Sequence, residues 1–229
     1  MASRPFGGVV NVLMAALAAA YAALLPLSVS ADDDQAPLVL SERSFTAGDW
    51  SFIVQGQGPT AVIDETRLTM TLPADSSQSL LSGIIQAGAA SRCQVRGDFD
   101  MAIRFRLNVW PANSGVQVLL GDGQLQDIVA RSSEPSGALE TYLAFFPPYA
   151  ASVSTTDTSG KLRLARTGAT VSGYYLTDDG WARLLTAPAQ TGDAYIVFFA
   201  WSNDSRFQHQ EVQATFSDFR LAQGQLICP

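Results

Sequence analysis

A chain of 229 residues with 47% hydrophobic residues is a folded protein rather than a disordered one. Charged residues are only 15% and the formal net charge is −7, so nucleic acid is not an expected partner: binding it needs clustered cations. A single histidine, His209, excludes a multi-histidine metal site.

The first element reads as an export segment. Residues 9–29 are almost wholly apolar, Arg4 is the only charge ahead of them, and Val29-Ser30-Ala31 precedes Asp32-Asp33-Asp34. A positive start, an apolar middle and small residues at the −3 and −1 positions describe a secretory signal peptide cut after Ala31. The alternative is an uncut anchor, since the run approaches the ~20 residues that span a bilayer. Pro26 and the small residues after it favour cutting. The expected organisation is a signal peptide over 1–31, a solvated N-terminus over 32–37 and one domain over 38–229. The chain is then secreted or extracytoplasmic, with no membrane span after cleavage. Cys93 and Cys228 are expected to bridge in that oxidising setting.

Beyond Pro37 the chain alternates with period two, the pattern of strands with one buried and one wet face. In Arg67–Leu72 the inward residues are Leu68, Met70 and Leu72. In Asp98–Asn108 they are Phe99, Met101, Ile103, Phe105 and Leu107, opposite Arg104, Arg106 and Asn108. Gly121-Asp122-Gly123 reads as a turn. Leu162 and Leu164 share a face in Lys161–Arg166, and Asp178-Asp179-Gly180 separates Val171–Leu176 from Trp181–Leu185 as a hairpin. Tyr195–Trp201 is apolar throughout, which suits a central strand covered on both faces. Gln213–Leu221 alternates again, with Phe216 and Phe219 as anchors. Many short strands between turn signals predict an all-β antiparallel sandwich or barrel.

The order of motifs carries a resemblance. Gly97-Asp98-Phe99-Asp100 opens a long alternating strand. Lys161-Leu162-Arg163-Leu164-Ala165-Arg166-Thr167-Gly168 runs into Val171-Ser172-Gly173-Tyr174-Tyr175. Asp178-Asp179-Gly180-Trp181 follows, and Ala214-Thr215-Phe216-Ser217-Asp218-Phe219 stands near the end. This resembles the concanavalin A-like lectin/glucanase superfamily, in particular its bacterial, secreted, laminin-G-like members. The resemblance covers about 96–221. It implies a jelly roll of two antiparallel sheets, one of them concave. Members bind or cleave carbohydrate on the concave sheet, some carry a structural calcium at the rim, and others are interaction modules. A fold alone does not give the function.

Most glycosidases use two carboxylates. The laminarinase-type strand Glu-x-Asp-x-x-Glu is missing from this sequence, which counts against that activity. Among Glu42, Glu65, Glu134, Glu140 and Glu211, the pair Glu140 and Glu211 flanks predicted strands and is the candidate acid/base or nucleophile pair. Asn113-Ser114-Gly115-Val116 followed by Glu140 resembles hydrolases of the 3-keto-disaccharide type, but their fuller Glu motif is absent. His209 has no Gly-x-Ser-x-Gly elbow to serve. Calcium needs clustered oxygens, for which Asp98, Asp100, Asp178 and Asp179 are candidates, with Asp122 and Asp127 behind them. Asn203-Asp204-Ser205 is a glycosylation sequon.

A sugar site needs aromatic platforms beside polar groups. The expected site is the wet face of the concave sheet, with Arg104, Arg106, Gln117, Glu140 and Tyr142 as contacts and Trp110 and Tyr149 at the rim. Trp201 and Tyr175 are expected in the core. The resulting expectation is a secreted, lectin-like domain that binds glycan without catalysis. The alternatives are a glycoside-active enzyme using Glu140 and Glu211, and an extracellular module with a protein partner. No cofactor is expected beyond a structural calcium.

Overall fold

Alternating apolar residues set the inner face of each strand in the computed structural model, which describes residues 41–42, 45, 47–64, 66–123, 127–135, 139–189, 192–203 and 205–228. The expected signal peptide, its cleavage point, Asp32–Asp34, Glu65 and Asp204 lie outside the described residues. No helix among the described residues is long and apolar enough to cross a membrane.

In chain order the strands are β1 (Ser41–Glu42), β2 (Trp50–Gln55), β3 (Thr60–Asp64), β4 (Arg67–Leu72), β5 (Ile84–Val109), β6 (Gln117–Asp122) and β7 (Ile128–Ser133). They continue as β8 (Glu140–Phe146), β9 (Tyr149–Ser154), β10 (Ser159–Thr167), β11 (Thr170–Thr177), β12 (Gly180–Pro188), β13 (Ala194–Asn203) and β14 (Val212–Ile227). A 3-10 turn, Ala47–Asp49, precedes β2. Every strand pairing is antiparallel.

The 26-residue β5 belongs to two layers. Its first half pairs with β2 and β13, and its second half pairs with β10 and β14. Gly97, at φ 71°, stands where the strand passes from one layer to the other, a backbone conformation that favours glycine. The first sheet therefore runs β2–β5–β13–β6–β7–β8–β9, and the second runs β12–β11–β10–β5–β14–β4–β3. β1 adds to β14.

The two sheets face each other across one apolar interior. Tyr142 of β8 stacks on Tyr175 of β11 with ring centroids 4.5 Å apart, and Phe198 of β13 meets Phe216 of β14 at 5.5 Å. Leu68, Met70, Leu72, Phe99, Met101, Ile103, Phe105, Leu162 and Leu164 are all buried there, as their alternation predicts. Each such side chain contributes roughly 1.5–3 kcal/mol by leaving water. Gly173 lets β11 approach the first sheet: a Cβ there would stand 2.7 Å from Val129 and 2.9 Å from Phe146.

Phe216 and Phe219 are both buried although three positions apart, a spacing a regular strand cannot put on one face. A register shift between Ser217 and Arg220, with Asp218 at φ 52°, turns Phe219 inward. The turn expected at Gly121-Asp122-Gly123 begins later. Gly121 and Asp122 complete β6, and the Asp122 amide donates to the Asp127 carbonyl at 2.9 Å. Cys93 and Cys228 form a disulfide across 135 positions, with Cα atoms 4.2 Å apart. It fastens the end of β14 to the first half of β5.

Candidate functional site

The outward face of the first sheet carries a row of polar side chains and one tryptophan. Strand register places it. Gln55 lies opposite Gln86, Gln86 opposite Trp201, and Trp201 opposite Gln117. Gln117 lies opposite Ser132, Ser132 opposite Thr141, and Thr141 opposite Ser154. Residues directly opposite on paired strands share a face, so one line crosses all the strands of this sheet. At about 4.8 Å between strands it is roughly 29 Å long.

The neighbouring positions on the same face are apolar. Leu119, Ala130, Leu143, Val197 and Trp201 form a second cluster outside the main interior, with Ile84, Ala90, Ile128 and Phe199 against it. The row thus borders an apolar floor. Gln117 is 4% exposed, and Trp201 and Thr141 are 6% exposed each. The buried Thr141 hydroxyl has no hydrogen-bond partner, nor does the buried Arg206 Nε. Such groups are costly unless something pairs with them.

A charged pair flanks the middle of the row, beside Trp201 and Ser132. Arg206 Nη2 donates to Glu134 Oε1 at 3.0 Å, and the Ser132 hydroxyl donates to the same oxygen at 3.1 Å. The Arg206 guanidinium lies 5.8 Å from the centroid of the Trp201 ring. Among the described residues, the row and the floor contain no Asp or Glu, and Glu134 is already ion-paired. This face can hold a ligand through amides, hydroxyls and an aromatic edge. It does not present two opposed carboxylates for hydrolysis.

The residues expected from sequence to line one wet face are divided among several places. Gln117 alone of them belongs to the row. Arg104 and Arg106 point outward from the second sheet, where Arg104 Nε donates to Asp218 at 2.7 Å. Glu140 and Tyr142 point into the interior, a correction that follows from register. Thr141 and Leu143 take the outward positions of β8, so their neighbours in the strand face inward.

Inside, Arg131 is 2% exposed and its Nη1 lies 2.6 Å from Glu140 Oε2. Trp110 Nε1 donates to the same carboxylate oxygen at 2.8 Å, so Trp110 braces the interior rather than standing free at a rim. The Tyr142 hydroxyl donates to Asp157 Oδ2 at 2.8 Å, and burial, then that bond, pushes its pKa up. Tyr149 is 48% exposed at the start of β9. Glu211 is exposed ahead of β14 in the second sheet, so the proposed pair Glu140 and Glu211 is split between an interior and an outer surface. His209 packs against Phe207, with ring centroids 5.3 Å apart.

The acidic candidates for calcium have other partners. Asp100 accepts two bonds from Arg163, at 2.8 Å each, and Asp98 accepts from the Gly168 amide at 2.8 Å. Asp178 and Asp179 are exposed in the hairpin turn. Among the described residues no group of three or more His, Cys, Asp or Glu side chains gathers to hold a metal. Asp122 and Asp127 are buried together near Arg166, and burial, then Asp122, pushes the Asp127 pKa up to about 6.

Sequence reasoning missed Gln86, Ser132, Thr141, Glu134 and Arg206; Trp201 is buried as expected, in the second cluster rather than in the main interior. None of them stands in a motif. The signal is the register of strands far apart in sequence.

No protein-family model matches the chain, and no curated protein matches it in sequence. Solved structures match in shape. A GH131 β-glucanase catalytic domain from Podospora anserina aligns with a TM-score of 0.58 at 11% identity, covering 78% of this chain and 86% of that one. A polysaccharide lyase family 7 alginate lyase, AlgAT5, aligns at 0.54 and 11% identity, covering 77% and 94%. A Bacillus licheniformis β-glucanase aligns at 0.52 and 11% identity, covering 78% and 93%. At these identities the likeness is one of fold: the chain is an all-β sandwich with the jelly-roll architecture of those proteins.

Proposed function

We propose that this chain is a secreted, non-catalytic carbohydrate-binding protein that holds an extended glycan along the polar row of its first sheet. The observation that carries this reading is the row itself. Amides and hydroxyls from six strands of the sheet lie in register around the one indole that β13 supplies, beside an apolar floor. A sugar presents apolar C–H faces edged by hydroxyls, the chemistry such a surface matches. Solved proteins of the same fold bear the names β-glucanase and alginate lyase, which supports a polysaccharide as ligand. The missing second carboxylate among the described residues of this face favours binding over hydrolysis. The Cys93–Cys228 bridge and the apolar N-terminal run support export.

The test is to incubate the purified protein with a panel of polysaccharides and record both retained protein and released sugar. Retention without release supports the proposal. Release without retention overturns it in favour of an enzyme.

A second reading, a protein partner, draws on exposed apolar residues at one edge of the sandwich. Phe52 and Val54 are exposed on the edge strand β2, and Leu80 and Leu81 are exposed in the segment leading into β5. A polysaccharide panel with neither retention nor release favours that reading.

A further inference from the structure

We infer that the site on the first sheet selects uncharged sugars over acidic ones, and that the Glu134–Arg206 pair beside Trp201 sets the selection. The inference rests on the reading of the row as a glycan site. Neither the row nor its floor carries a charge, in a chain with 14 basic and 21 acidic residues. Register produces this neutrality. Arg131 precedes Ser132 and Glu140 precedes Thr141, so both turn inward, and they pair with each other behind the sheet at 2.6 Å. Arg92 comes beyond Ala90, which lies opposite Val197, about 13 Å along β13 from Trp201.

One ion pair flanks this face. Arg206 Nη2 donates to Glu134 Oε1 at 3.0 Å, and the two charges cancel. Their side chains are 17% and 21% exposed, so water and salt screen them only in part. The Arg206 guanidinium lies 5.8 Å from the Trp201 ring centroid, and Ser132 of the row donates to the same Glu134 oxygen at 3.1 Å. The pair therefore belongs to the site.

Each partner keeps an unused group. Arg206 Nε is buried with no acceptor. Glu134 takes both of its side-chain bonds on Oε1, and Oε2 has no donor among the described residues. The buried Thr141 hydroxyl, opposite Ser132, is also without a partner. A hydroxyl both donates and accepts, so a sugar hydroxyl satisfies any of the three. Two hydroxyls of one sugar can accept from Arg206 and donate to Glu134. An ionised carboxylate or sulfate only accepts. It brings its charge beside Glu134, and no surplus cation on the row or the floor offsets it. The net charge of −7 adds repulsion at longer range.

The experiment is affinity electrophoresis of the whole protein in gels containing mixed-linkage β-glucan or galactomannan, which are neutral, or alginate or polygalacturonate, which are acidic. The expected result is retardation of wild type by a neutral polymer and by neither acidic one. Glu134→Gln keeps the size of the side chain and leaves Arg206 without a counter-charge. It should bring in retardation by an acidic polymer, which added salt abolishes. Arg206→Lys keeps the charge opposite Glu134 and loses the Nε donor. It should weaken retardation by the neutral polymer about tenfold. Where either variant fails to give a wild-type thermal transition, Glu134→Ala or Arg206→Met takes its place with the same expectation. Wild type retarded as strongly by an acidic polymer as by a neutral one overturns the inference, as does a Glu134→Gln protein that acidic polymers still ignore. Gln86→Ala with Gln117→Ala separates this outcome from failure of the row. If that variant loses retardation by the neutral polymer, the row stands and only the selection by Glu134 and Arg206 falls. If it keeps it, or if no polymer retards wild type, the row and the inference fall together.

Discussion

Arg131 and Glu140 form an ion pair inside the sandwich, 2.6 Å between Nη1 and Oε2, with the arginine 2% exposed. The pair ties adjacent strands: Arg131 sits on β7 and Glu140 opens β8. The Arg131 Nε also donates to the Asp157 carbonyl at 3.1 Å, so the guanidinium is held from two sides. Breaking a buried pair by removing one partner strands the other charge, at a cost of about 3 kcal/mol or more. Glu140→Ala should lower stability in urea by about that amount. Arg131→Met with Glu140→Leu should recover part of the loss, because no charge is stranded, while the Trp110 Nε1–H loses its acceptor. Neither change should alter glycan binding. A Glu140→Ala protein of wild-type stability with no affinity for glycan would return Glu140 to the binding site.

Asp127 gives the stability a pH dependence of known sign. Its folded pKa is raised to about 6 by burial and by Asp122, with Arg166 opposing. A carboxyl raised in the folded state binds its proton more tightly there than in the unfolded chain. Its contribution is therefore most favourable at acid pH and is lost as pH rises from about 4 to about 6. Asp127→Asn removes this loss. The variant should exceed wild type by about 2 kcal/mol at pH 7, and the gap should close toward pH 4. Chemical denaturation at several pH values measures it, and a gap that widens on acidification contradicts the assignment.

The disulfide closes a loop of 135 positions. Chain entropy assigns such a closure about 5 kcal/mol. Cys93→Ser with Cys228→Ser, or reduction, should lower the melting temperature sharply. The polar row lies elsewhere, so glycan affinity measured well below that temperature should persist. Loss of binding with an unchanged melting temperature would contradict this.

Gly173 marks a close approach of the two sheets. A methyl group there meets Val129 and Phe146 side chains inside 3 Å. Gly173→Ala should cost about 1–3 kcal/mol through overpacking. A variant as stable as wild type would show that the sheets move apart freely at this point.

The strands themselves were legible in the sequence because alternation is a local signal. Phe99 to Leu107 faces inward at every second position, and the Asp178-Asp179 turn joins β11 to β12. The apolar run Tyr195–Trp201 lies in β13, flanked by β5 and β6. What could not be read was orientation where both faces are apolar. Glu140–Phe146 offers Thr141, Leu143 and Phe145 on one side and Tyr142, Ala144 and Phe146 on the other. Both sets suit a core, and only pairing with β7 decides between them. The polar row was illegible for a related reason. Gln55, Gln86, Gln117, Ser132 and Trp201 become neighbours through registers joining strands remote in sequence. The span of β5 across both sheets was hidden too, because Gly97 looks like an ordinary turn residue until its neighbours are paired.

The central claim is that the row on the first sheet binds glycan. The most direct measurement is calorimetric titration of wild type, Gln86→Ala with Gln117→Ala, and Glu140→Gln with an oligosaccharide from whichever polysaccharide the protein retains. The account predicts about tenfold or greater loss of affinity for the row variant, wild-type affinity for Glu140→Gln, and no released sugar from any of the three. Unchanged affinity in the row variant, or sugar release that Glu140→Gln abolishes, would contradict it.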